Sequence, residues 1–126
     1  MKMLSILRSV AIVAVLLTGS HAAFAATYDS IAVDDDESTG GGKAGYGVGE
    51  GNSADEAKHE AMKECKSGGN KSCEVAVTYQ RCGAYASSKK NSGSGTGDSE
   101  AIARQAALSE CGVSACRVVV ADCVGK

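Results

Sequence analysis

Six cysteines are the residues of this 126-residue chain with the most chemistry to offer. Cys65, Cys73 and Cys82 are spaced C-x7-C-x8-C, and Cys111, Cys116 and Cys123 are spaced C-x4-C-x6-C. No C-x-x-C pair occurs, so neither a zinc site built on such pairs nor thioredoxin-type exchange has its usual ligands. An even number of thiols in a short chain that opens with an export signal points to disulfides. Histidine offers less. After the leader only His59 remains, between Lys58 and Glu60 and one helical turn from Asp55, a placement that suits a surface pair better than a general base. The serines cluster in glycine-rich stretches and G-x-S-x-G is absent, so no nucleophile motif stands near it. No catalytic residue, metal ligand or cofactor is expected, and the chain reads as a non-enzyme.

The densest charge is Asp34-Asp35-Asp36-Glu37, followed by Ser-Thr-Gly-Gly-Gly. Carboxylates at alternate positions suit calcium, but the twelve-residue calcium loop pattern is missing. These four residues read as a solvated hairpin tip and as a possible contact loop for a basic partner. Gly45 to Gly51 alternates strictly and lacks the G-x-G-x-x-G spacing that opens a helix onto a phosphate. Thirteen basic residues stand against 15 acidic ones. Loss of Lys2 and Arg8 with the leader deepens the acidity, which argues against a nucleic-acid or anionic-membrane binder.

Lys2 and Arg8, the apolar run Val10 to Leu17, and Ala23-Phe24-Ala25 follow one another as in a cleaved secretory signal. The apolar run is short of the ~20 residues that span a bilayer. Residues 1–25 are therefore expected to be removed, with no membrane insertion afterwards and a periplasmic or secreted product. Residues 26–126 make one domain.

That domain repeats itself. A shift of 46 places Gly47, Gly49, Gly51, Ser53, Ala57, Ala61 and Cys65 on Gly93, Gly95, Gly97, Ser99, Ala103, Ala107 and Cys111. After a shorter loop, Cys73-Glu-Val-Ala-Val77 falls on Cys116-Arg-Val-Val-Val120, and Tyr28 to Ala32 matches Cys82 to Ala86. The units run from about 27 to 81 and from 82 to 126, each reading strand, strand, helix, strand. Glycines on one face of a strand admit a close-packed helix. Ser53 and Glu56 have capping-box spacing, and Ala54, Ala57, Ala61, Met62 and Cys65 share one face. The second helix starts near Asp98 or Ser99 and presents Ala103, Ala107, Leu108 and Cys111. Val75, Val77 and Tyr79, and likewise Val118 and Val120, alternate toward one side. Gly40-Gly41-Gly42 reads as a hairpin loop and Ser87 to Gly97 as a loop into the fifth strand. The expected fold is α+β, a mostly antiparallel sheet with two helices on one face, stapled by disulfides, with the other sheet face free for a partner. The repeat favours Cys65 with Cys73 and Cys111 with Cys116, each closing a helix-to-strand loop, which leaves Cys82 with Cys123 to join the halves.

The chain resembles a secreted bacterial family known as domain of unknown function 4189. The resemblance rests on Cys82-Gly83-Ala84-Tyr85-Ala86, the alternating glycines, Cys65 and Cys111 ending alanine-rich helices, and the two Cys-x-Val-x-Val strands. It departs at Asp29-Ser30, where the family has Gly-Ala, and in lacking tryptophan. The resemblance implies export and brings no activity or catalytic residue, although some members are similar to secreted effectors. Small size, stapling, export and acidity together lead to a protein-binding module, an inhibitor or immunity-type protein of the bacterial envelope. The alternative is a secreted effector acting on a target cell.

Overall fold

The computed structural model describes residues 27–36 and 43–126. The expected signal segment, Glu37 and Gly40-Gly41-Gly42 lie outside the described residues. The elements in order are β1 (Tyr28–Asp34), β2 (Gly45–Gly51), α1 (Ala54–Ser67), β3 (Glu74–Tyr79), β4 (Cys82–Ser87), β5 (Ser92–Gly97), α2 (Glu100–Cys111) and β6 (Arg117–Cys123). The strand, strand, helix, strand order thus occurs twice, in an α+β chain.

The helices begin where their caps dictate. Ser53 Oγ accepts from Glu56 N at 3.1 Å, and Glu56 Oε2 reaches back to Asn52 N at 3.1 Å, one residue before the cap itself. Ser99 Oγ accepts from Ile102 N at 3.2 Å. α2 ends at Gly112, whose φ of 81° lies in the left-handed region that a side chain would resist. Ser53→Ala is expected to lower stability by about 1 kcal/mol, read as a shift of the urea midpoint.

Each helix lies on its own glycine strand. Ala57, Ala61 and Cys65 of α1 are buried against the first sheet, and Ala103, Ala107 and Cys111 of α2 against the second. A Cβ on Gly47 would come within 2.2 Å of Cys65 N, and one on Gly93 within 2.3 Å of Cys111 N. Only bare backbone permits that approach.

The six strands do not form a single sheet. They divide into two three-stranded antiparallel sheets, ordered β2-β1-β3 and β5-β4-β6. Alternation along the central strands explains the division. Ala32 packs toward α1 with Ala61, Cys65 and Cys73, while Ile31 and Val33 point the other way. Ala84 and Ala86 pack toward α2, while Tyr85 points away from it. The two outward faces bury one another: Ile31, Val33 and Tyr79 meet Tyr85 and Val120. The result is four layers, helix, sheet, sheet, helix, with the larger side chains in the middle. A fully buried Ile31 contributes roughly 2 kcal/mol there. The sheet face expected to be free for a partner is thus covered by the other repeat.

Two further readings change. Ser92–Gly97 is strand β5, not loop, and only the short turn after Ser87 is irregular. Each closing strand also carries a bulge, where the register jumps between Ile31 and Ala32 on β1 and between Tyr85 and Ala86 on β4. Ala76 and Val119 are the extra residues, and each resets the alternation by one. Val75 is exposed for that reason, and Ala76 and Val119 join the central cluster.

The sulfurs are joined as Cys65–Cys73, Cys82–Cys123 and Cys111–Cys116, and no cysteine in the chain is free. Cys82 and Cys123 face each other as paired residues of β4 and β6. Their bridge therefore ties the first strand of the second repeat to its last, and does not join the halves.

Candidate functional site

The acidic run leaves β1 at its end and turns back into the fold. Asp34 Oδ2 accepts from the backbone N–H groups of Lys71 and Ser72, at 3.0 and 3.1 Å, and fixes the loop that leads into β3. Asp35 accepts from the Tyr85 hydroxyl across the sheet interface. Burial pushes the Tyr85 phenol up to about 12, the Asp35 bond and the charges of Asp35 and Glu74 adding to it and a bond with Ser92 opposing it. Asp34 and Asp35, expected at a solvated tip, are therefore engaged within the molecule. Asp35 and Asp36 still line an open cleft of about 540 Å³, together with Glu74, Tyr85, Ser72 and Ser92. Three carboxylates and three hydroxyls line it.

A second cleft, about 470 Å³, opens where the two repeats meet. Tyr28, Lys58, Tyr79 and Arg81 contribute to it, with Thr96 and Asp98 from the end of β5. Arg81 Nε lies 3.6 Å from Asp98 Oδ1, with both side chains largely exposed, a pair worth little by itself. His59 is exposed on α1 and lines neither cleft. Among the described residues, no group of three or more His, Cys, Asp or Glu side chains is arranged to hold a metal ion, and no helix is long and apolar enough to cross a membrane.

The third polar cluster has no counterpart in the sequence reading. Asp29 is 3 % exposed on the inner face of β1, where it pairs with Tyr79 of β3. In the second repeat the same two positions hold Gly83 and Asp122, again a cross-strand pair. The Tyr79 ring fills the space above Gly83, where a Cβ would meet its Cδ1 at 2.2 Å. Its hydroxyl donates to Asp122 Oδ2 at 2.7 Å. Asp122 lies within reach of Asp29. Burial first, then hydrogen bonding to Asp122 and the charges of Asp122 and Glu50, push the Asp29 carboxyl up to about 7. Burial and the same carboxylates push the Tyr79 phenol far up as well. Among the described residues, Asp29 Oδ1 is buried with no hydrogen-bond partner. A signal was available: aligning the repeats puts Asp29 and Asp122 at inward strand positions, where an unpaired carboxylate is costly.

The model of a family described as "Domain of unknown function (DUF4189)" matches residues 28–123. No curated protein and no solved structure matches the chain.

Proposed function

The chain belongs to the DUF4189 family, and on that footing we propose that it is a non-enzymatic module binding a basic protein outside the cytoplasm. Its place would be the periplasm or the medium, and its manner that of an inhibitor or immunity protein. The observation that carries this reading is the cleft lined by Asp35, Asp36 and Glu74. Its walls are held by a Tyr85–Asp35 bond that spans both sheets, so the acidic surface is preorganised rather than assembled on contact. The three disulfides support an oxidising compartment. The Asp29–Asp122 pair lines neither cleft described above, which supports binding over catalysis.

The test uses the oxidised domain, residues 26–126, as bait for periplasmic extract and culture supernatant. One stoichiometric partner with a basic surface is expected. Asp36→Lys with Glu74→Lys is then expected to weaken that complex by at least about tenfold, with the loss concentrated in the association rate at low salt. A partner indifferent to both reversals would remove the cleft from the argument. An empty bait would overturn the binding reading and favour a secreted effector, to be tested on target cells.

A further inference from the structure

We propose that Asp29 and Asp122 form a proton-operated latch between the two repeats, closed while the pair holds one proton and pushed apart when both carboxylates are charged. The geometry sets this up. Asp29 belongs to the first repeat and Asp122 to the second, and they meet in the layer between the sheets. One is nearly inaccessible to water, so a charge on it has little solvent to spread into. The surroundings supply no relief. Glu50 approaches from β2, the cross-strand neighbour of Asp29, and carries the same sign. Tyr79, from β3, gives its single hydroxyl proton to Asp122 Oδ2 and leaves Asp29 without a second donor. β4 presents Gly83, which has no side chain to offer.

With one proton the arrangement is self-consistent. The Asp29 hydroxyl donates to the Asp122 carboxylate, which accepts from Tyr79 as well. Without it, two adjacent carboxylates between the sheets are both charged and repel. Tyr79 carries the consequence outward, because the residue whose ring is held between Gly83 and Asp122 is also one of those lining the 470 Å³ junction cleft. Opening the latch frees that ring and widens the cleft, so the cleft reports the pH of the compartment.

The sign follows from linkage. Asp29 holds its proton more tightly folded than unfolded, so the stability it confers is present below the ordinary carboxylate range. That stability is lost as pH rises toward about 7, and the profile is flat beyond. The folding equilibrium constant of the oxidised domain is expected to fall on the order of a hundredfold between pH 4.5 and 7.5, measured by urea unfolding. Asp29→Asn, an amide that cannot ionise, is expected to flatten that slope and to reduce quenching of tyrosine fluorescence by acrylamide at pH 7.5. A carboxyl carbon titration of the wild-type domain by NMR gives a readout independent of whether the variant folds. One aspartate with its midpoint near neutrality is expected. All aspartates titrating below pH 5, or an Asp29→Asn profile as steep as the wild type, would overturn the latch.

Discussion

Replacing Gly49 by alanine is expected to lower stability by about 3 kcal/mol, a large part of what a domain of this size has in reserve. The added Cβ would stand 2.1 Å from Ala61 N, 2.5 Å from Glu60 C and 2.6 Å from Ala57 O. All three are backbone atoms of α1, so no rotamer change relieves the contact. The helix must lift off the sheet, and with it go the buried contacts of Ala57, Ala61 and Cys65. Alanine cannot restore them by reaching further, because its side chain is already the whole of its length. Gly95 under α2 is expected to behave alike, with Ala107 N at 2.4 Å. Thr96→Ala, next to it but exposed, is the control and should change stability by less than about 0.5 kcal/mol. Urea unfolding followed by circular dichroism separates these outcomes. A Gly49→Ala variant within 1 kcal/mol of wild type, by the size argument, would mean that the helix has room to spare.

Removing Cys82 and Cys123 together, as serines, is expected to cost about 4 kcal/mol. The bridge spans a sequence separation of 41, against 8 and 5 for the two helix-to-strand bridges, and the entropy withheld from the unfolded chain grows with the loop. By the same relation the short bridges are worth roughly 2–3 kcal/mol each. The Cys111–Cys116 bridge lies inside the long loop and shortens it slightly, which does not alter the ranking. Helix-side layers made of alanine, cysteine and serine bury little apolar area per residue, so covalent closure carries more of the stability than in a leucine-rich domain. Thermal melts without reductant should rank the three double variants in that order. A Cys82/Cys123 variant melting within a few degrees of wild type would refute it.

Much of the architecture was legible because the sequence states it twice. Gly47 and Gly93 share a register, and so do Ser53 and Ser99, and local rules of capping and alternation then place each helix over its own strand. What was hidden depends on how the units meet, and no local pattern encodes that. Six strands suit one sheet or two. The choice was made by the inward faces, where Ile31, Val33 and Tyr79 needed a cover that α1 does not give. The bulges at Ala76 and Val119 were hidden because an inserted residue leaves the apolar count of a strand unchanged while reversing its faces. The low-complexity look of Ser92–Gly97 masked a strand whose small residues are what α2 requires. In the acidic run, composition suggested solvent, yet Asp34 and Asp35 each found a donor far along the chain. Asp29 and Asp122 were the least visible, since each matters only through the other.

All three disulfides fall inside one repeat or the other, so a short stretch of backbone at Gln80 and Arg81 is the sole covalent tie between the halves. The halves are nevertheless no longer interchangeable. Two copies of the first would bring Tyr79 against Asp29, where the ring needs the bare backbone of Gly83. Two copies of the second would leave Asp122 over that glycine with an empty space beside it. The duplicated units have become an obligate heterodimer written as a single polypeptide, each shaped to refuse its own twin.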